Sequence, residues 1–295
     1  MSASRDFLVE IGTEELPPKS LLNLSAAFAD GVAKGLKDAG VAYKSLEAFA
    51  TPRRLAVRVR KLIEQQPDRP LEKRGPPVKA AFDVNGAPTQ AAVAFARGCG
   101  VDVSALEKIE TPKGEWLVFR GTETGARTVD LLPAIVTASL EALPIARRMR
   151  WGAGEALFVR PVHWVLMLWG KDVVQTEILG QQAGNLTYGH RFMAPKALKV
   201  SSPASYVTTL LKRGKVMADV NARRDSIRAG VTAAAARLDG IAVIDDALLD
   251  EVTGLVEWPV PLAGRFDPQF LELPAEVLIA TMQEHQRYFP VRDAQ

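Results

Sequence analysis

The sequence predicts a mixed α/β (α+β) fold in which one layered body is interrupted by an inserted subdomain. Three observations carry this expectation. An alternating strand near the start runs directly into an amphipathic helix, a strand apolar at nearly every position lies at 163–169, and a proline-rich, charged stretch at 63–80 separates the two. Neither flank holds enough strand for a covered sheet alone, so the two are expected to join. The expected division is 1–65 and 149–200 as the two parts of the body, 66–148 as the insertion, and 201–295 as a helical, proline-rich segment leading to further domains.

Each element follows from local pattern. Phe7, Val9 and Ile11 alternate with their neighbours, Gly12-Thr13-Glu14-Glu15 breaks the strand, and Pro17-Pro18 supplies the fixed φ of a helix start. Leu21, Leu24, Phe28, Val32 and Leu36 recur every three or four residues up to Gly40, a residue suited to a left-handed stop. After Thr51-Pro52 comes a strand with Leu55, Val57 and Val59 on one side and Arg54, Arg58 and Arg60 on the other, which reads as a core face and a row of cations. Residues 63–80 read as a linker or exposed loop. A helix around Thr89–Arg97, a strand from Gly114 to Gly121 and an amphipathic helix from about Val129 to Leu143 make up the insertion. His163 to Trp169 reads as a central strand covered on both faces. Ser202-Pro203 starts a helix ended by Gly214, and Asn221 begins another that runs to about Leu238. The strand-like 287–291 has no compact stop after it, which points to a piece of a longer protein.

Composition bounds the chemistry. With 295 residues, 47% hydrophobic and 24% charged, the chain is a globular protein. Its longest apolar run is far short of the roughly 20 residues of a membrane span. The start carries no apolar signal core and Cys99 is the sole cysteine, so a reducing, cytoplasmic location is expected. The net charge of +3 hides an asymmetry. Residues 241–295 hold ten acids against three arginines, so that stretch is expected to face protein rather than a phosphate backbone, with Trp258, Phe266, Phe270 and Leu273 as docking surface. Three histidines and one cysteine give no metal-ligand spacing, no phosphate-loop fingerprint occurs, and no nucleophile elbow is present. No catalytic residue and no metal are expected. Glu14 and Glu15 read as turn-capping, and His163 reads as a hydrogen-bonded core histidine.

Several strings carry a specific resemblance: Phe7 to Pro17 (FLVEIGTEELP), Thr51 to Val57 (TPRRLAV), Met149 to Gly152 (MRWG), Phe158 to Trp164 (FVRPVHW), Gly189 to Phe192 (GHRF), Glu251 to Pro259 (EVTGLVEWP) and Gln283 to Phe289 (QEHQRYF). Together, and in this order, they resemble the β subunit of bacterial glycyl-tRNA synthetase. The resemblance implies a heterotetramer of two α and two β subunits, with ATP and magnesium used by α to form glycyl-adenylate, and with β needed for tRNA-Gly binding and charging. It implies no cofactor in this chain itself. More weakly, the first strand and helix, the TPRR strand and the RPVHW region are similar to the B3/B4 domain of phenylalanyl-tRNA synthetase β chains, which implies a B3/B4-like layered body. A scaffold that touches no RNA, and an editing hydrolase, are the competing readings.

Given that resemblance, the cations become tRNA candidates. Arg53, Arg54, Arg58 and Arg60 fall within eight acid-free positions, where a solvent-facing row suits successive phosphates. The competing expectation for Arg54 is burial against an acid such as Glu10 or Glu14. Arg147, Arg148 and Arg150 follow a helix end, and His190-Arg191 lies in a glycine-led turn. Arg223, Arg224 and Arg228 read as a solvated helix face.

Overall fold

The computed structural model describes residues 3–293 and divides into two compact units. In chain order the main elements are β1 (Ser4–Thr13), α1 (Pro18–Asp38), β2 (Ser45–Thr51), β3 (Arg54–Ile63), β4 (Arg69–Pro77), α2 (Gln90–Cys99), β5 (Glu107–Thr111), β6 (Gly114–Glu123), α3 (Thr128–Glu141) and β7 (Val162–Trp169). There follow β8 (Asp172–Val173), β9 (Glu177–Ile178), β10 (Gln181–Gly184), β11 (Leu186–Tyr188), β12 (Ala197–Lys199), α4 (Tyr206–Thr209), α5 (Val220–Ala236) and α6 (Asp246–Thr253). The class is α/β.

The larger unit takes the chain up to Glu64 and again from Thr128. Its sheet has the order β9-β10-β7-β1-β3-β2, with β8 beside β7. The β1–β3, β1–β7 and β2–β3 pairs are antiparallel, and β10 runs parallel to β7. One face carries Phe7, Val9, Ile11, Leu55, Val57, Val59, Val165 and Met167 against the apolar stripe of α1 and Leu132, Val136 and Leu140 of α3. At roughly 25 cal/mol per Å² of apolar area buried, this layer is the main stabilising block. The other face is covered as well. Leu8, Ala56, Leu166 and Leu168 pack under Val200, Tyr206, Leu210, Val216 and Ala218. The cations of β3 share this second face, so they are not a solvent-facing row.

The smaller unit, Gln65–Arg127, is a three-stranded sheet of order β4-β6-β5 with its own core of Ala81, Ala92 and Leu117, lined by Val78, Phe82 and Phe95. Two details differ from the sequence reading. The stretch read as a linker contains β4, which pairs with β6 over Arg69–Pro77 despite three prolines. Helix α3, read as part of the insertion, belongs instead to the larger unit, because Leu132, Val136 and Leu140 are buried in the core formed by the large sheet and α1.

From residue 241 on, four of the ten acids are ion-paired or buried among the described residues. Asp246 and Asp250 bind Arg224, Asp246 also binds Arg228, Glu251 binds Arg287, and Glu257 is buried. Trp258 is capped by Lys215 at 5.1 Å, while Phe266, Phe270 and Leu273 are exposed.

Candidate functional site

Stretches far apart in sequence meet at one end of the large sheet. Register places Gly12 of β1 between Arg54 of β3 and Trp164 of β7, and puts Glu10 one pair deeper, between Ala56 and Leu166. Glu10 is fully buried and accepts hydrogen bonds from Trp164 Nε1 (2.5 Å), Thr187 Oγ1 (2.5 Å), the Tyr206 hydroxyl and Arg54 Nη1 (3.3 Å). Arg54, also fully buried, uses every N–H it has. Nε donates to Thr51 Oγ1, Nη1 to Glu10 and Thr187 Oγ1, and Nη2 to the Tyr188 carbonyl and to Glu257 Oε1 at 3.1 Å. Thr51 in turn donates to Glu257. Burial pulls the Arg54 pKa down, but the charges of Glu257 and Glu10 outweigh it and the net shift is upward. The guanidinium stays charged. Tyr206 is held well above its usual range by burial and by the Glu10 charge, so its hydroxyl is a neutral donor. This cluster is a clamp that ties the sheet to the segments carrying Thr187, Tyr206 and Glu257. Its groups are saturated and hidden, which leaves nothing to act on a substrate.

Beside it lies an accessible rim. Glu14 accepts from His163 Nε2 at 2.9 Å and from Arg191 Nη2 at 2.5 Å, and Arg191 Nη1 reaches Glu15 at 3.0 Å. The Arg191 hydrogen bond, supported by that from His163, holds Glu14 at about 2. Arg53 is half-buried with its guanidinium 5.7 Å from the Trp164 ring, and its Nε has no hydrogen-bond partner among the described residues. Burial lowers its pKa, with Arg191 and Arg54 adding to the effect while Glu257 opposes it. That Nε is itself buried, so any contact of Arg53 with an anion would have to be made by the outer end of its guanidinium, beside the Trp164 indole.

The Glu14 contact predicts a pH dependence. A carboxylate whose folded pKa lies below its ordinary 4.5 adds stability that is complete above that value and is lost as pH falls towards 2. The gap in Tm between the wild type and Glu14→Gln should therefore be widest at pH 6 and narrow as pH falls from 4.5 to 3. A gap independent of pH would show that the Arg191 and His163 contacts do not anchor this carboxylate.

The other candidates are scattered. Arg58 is nearly buried, bound bidentately to Glu47 and donating to the Pro203 carbonyl, so its guanidinium is engaged within the fold; Arg60 shares Glu47 from a half-buried position. Glu47 is held low chiefly by Arg58. Arg148 caps the carbonyls of Leu140 and Glu141 at the end of α3, the role the helix dipole favours. Arg150 pairs loosely with Glu155, and Arg147 is exposed. His190 accepts from the backbone N–H groups of Phe192 and Met193, which pins its turn.

Three readings need correction. His163 is exposed rather than a core histidine, because alternation along β7 turns it away from Trp164. Glu14 and Glu15 bind Arg191 instead of capping a turn. Arg223 is fully buried, donating to the carbonyls of Ala50, Met217 and Thr253, and burial pulls it down to about 10. The competing expectation that Arg54 is buried against Glu10 is met, whereas Thr187, Tyr206 and Glu257 were not singled out by the sequence. The available signal was Glu10 itself, an acid inside an apolar strand, which requires a buried cation.

Among the described residues no group of three or more His, Cys, Asp or Glu side chains could hold a metal, and no helix is long and apolar enough to cross a membrane. The strings that build the rim and clamp also define the chain's kinship. A family model described as the glycyl-tRNA synthetase beta subunit matches residues 7–295. The chain is 56% identical over 293 residues to a glycine–tRNA ligase beta subunit of Marinobacter nauticus and 55% identical over 291 residues to that of Hahella chejuensis. Each match covers 99% of this chain and 42% of the relative, so the chain spans about two fifths of their length. With the match running through almost every element described above, the chain belongs to the glycyl-tRNA synthetase beta subunit family.

Proposed function

We propose that this chain is the part of a glycine–tRNA ligase β subunit that contributes tRNA-Gly binding and subunit assembly. In this reading the cytoplasmic enzyme is a heterotetramer of two α and two β subunits, and adenylate chemistry with ATP and magnesium stays on α. The observation that carries the tRNA part is Arg53. It is a half-buried cation without an acid partner among the described residues, held over Trp164 beside the exposed Arg191. Arg147, Arg150 and Arg191 are the other exposed arginine candidates. Arg54 and Arg58 are withdrawn from the RNA surface, since both are engaged within the fold.

Filter binding of tRNA-Gly across a salt series tests the reading. Arg53→Ala should flatten the slope of log K against log salt by about 1, since each neutralised phosphate contributes nearly one unit. A wild-type chain with no measurable affinity at low salt would leave only the scaffold role, which binding to the α subunit would then test. The His163–Glu14 contact favours a second reading, a hydrolytic one, because a carboxylate beside an accessible imidazole is how a general base is oriented. Mischarged tRNA-Gly incubated with the chain should then be deacylated, and His163→Ala should abolish the reaction. No deacylation above background disposes of this alternative.

A further inference from the structure

Residues 178–218 contain no Asp or Glu but six basic side chains: Arg191, Lys196, Lys199, Lys212, Arg213 and Lys215. Arg191 is engaged by Glu14 and Glu15, and Lys215 lies over Trp258. The other four have no acid partner among the described residues, and all four are exposed. The fold gathers much of this charge. β11 and β12 pair antiparallel around a loop at 189–196, and that loop is sewn to the 212–215 turn by the His190 N–H donating to the Gly214 carbonyl at 2.7 Å. The contact is backbone on backbone. A Cβ at Gly189 would stand 2.4 Å from the Ala194 carbonyl oxygen and 2.8 Å from that of Gly214, so only glycine lets the two loops meet.

At the tip stands Phe192, 82% exposed, beside Met193. Its turn is ordered. Ala194 N–H donates to the His190 carbonyl, the His190 ring accepts from the N–H groups of Phe192 and Met193, and the two ring centroids lie 6.2 Å apart. A rigidly presented aromatic face among unpaired cations suits a partner that offers a flat apolar surface and negative charge together. An unpaired nucleotide does both, with its base on the ring and its phosphates on the lysines and arginine. A base within a duplex is already stacked, and an apolar protein surface would leave the ammonium groups desolvated without acceptors.

We propose that the 189–196 and 212–215 loops bind a single-stranded RNA segment, with Phe192 stacking on an unpaired base and Lys196, Lys212 and Arg213 holding its phosphates. The proposal rests on the tRNA-binding reading and specifies which kind of RNA segment this surface takes.

The test uses the 295-residue chain and two RNA hairpins, one blunt and one carrying a short 3′ single-stranded extension that contains 2-aminopurine. The extended hairpin should bind more tightly, with quenched 2-aminopurine fluorescence. Phe192→Ala should remove the quench and weaken the extended hairpin about 5- to 100-fold while leaving the blunt one unchanged. Phe192→Trp should restore both signals. Lys212→Gln with Arg213→Gln should flatten the salt slope for the extended hairpin. If wild type binds both hairpins equally, or Phe192→Ala binds the extended one as wild type does, the proposal is overturned while tRNA binding stands. If wild type binds neither, the tRNA-binding reading fails and takes the proposal with it. Loss of α-subunit binding in Phe192→Ala, with RNA binding intact, would overturn it in favour of a protein contact.

Discussion

Arg54→Met should destabilise the larger unit by about 3–5 kcal/mol, because among the described residues it removes the one ion-pair partner of two buried carboxylates. Against the roughly 5–15 kcal/mol that holds an ordinary domain together, this is a large fraction. The cost arises from what stays behind. Glu10 would keep its neutral donors, Trp164, Thr187 and Tyr206, but no cation; Glu257 would keep only Thr51. Removing the charges as a set is expected to be milder. The triple change Arg54→Met, Glu10→Gln and Glu257→Gln should recover part of the loss, since no uncompensated ion remains in the interior. Urea denaturation of the two variants gives the comparison, and an Arg54→Met midpoint close to wild type would show that the cluster contributes little. The same experiment separates stability from RNA binding, a distinction that a combined Arg53 and Arg54 replacement would blur.

Legibility in the sequence followed the range of the interactions. The α1 stripe, its proline start and the left-handed Gly40 are written within some twenty residues, and the helix ends one turn position from that glycine. The apolar run of β7 announced a strand with two covered faces. Alternation in β3 separated Arg54 and Arg58 from Leu55 and Val57, but it cannot tell whether the second face meets water. That depends on Val200, Tyr206 and Leu210, which lie about 150 positions away and fold across it. Arg223 was misread for a related reason. Its neighbours Arg224 and Arg228 do face acids of α6, but the carbonyls that Arg223 satisfies belong to Ala50, Met217 and Thr253, and carbonyls leave no trace in a residue pattern. The rim was visible only as separate strings, because the contacts of Glu14 with His163 and Arg191 span 149 and 177 positions.

Gly12→Ala should cost about 3 kcal/mol or more, although it adds a single methyl group. Cross-strand register sets the Trp164 indole directly over this position, and a Cβ there would stand 1.9 Å from Trp164 Cε2 and 2.0 Å from Cδ2. The ring has no free direction in which to move. Its Nε1 is committed to Glu10, Tyr188 packs 4.9 Å from it, and the guanidinium groups of Arg53 and Arg54 each lie 5.7 Å from its centroid. Overpacking alone costs about 1–3 kcal/mol. Tilting the indole would also take the hydrogen bond from a buried carboxylate, which adds about 1.5–3 kcal/mol. Because both penalties act through one side chain, the effect should be coupled to it: Gly12→Ala combined with Trp164→Leu should be less destabilised than the sum of the two single variants. Additive losses would mean that the indole moves aside freely and the clamp is looser than its hydrogen bonds indicate. In whatever fraction of Gly12→Ala still folds, Arg53 has lost the surface it rests on, so affinity for tRNA-Gly should fall together with stability rather than stay at the wild-type value.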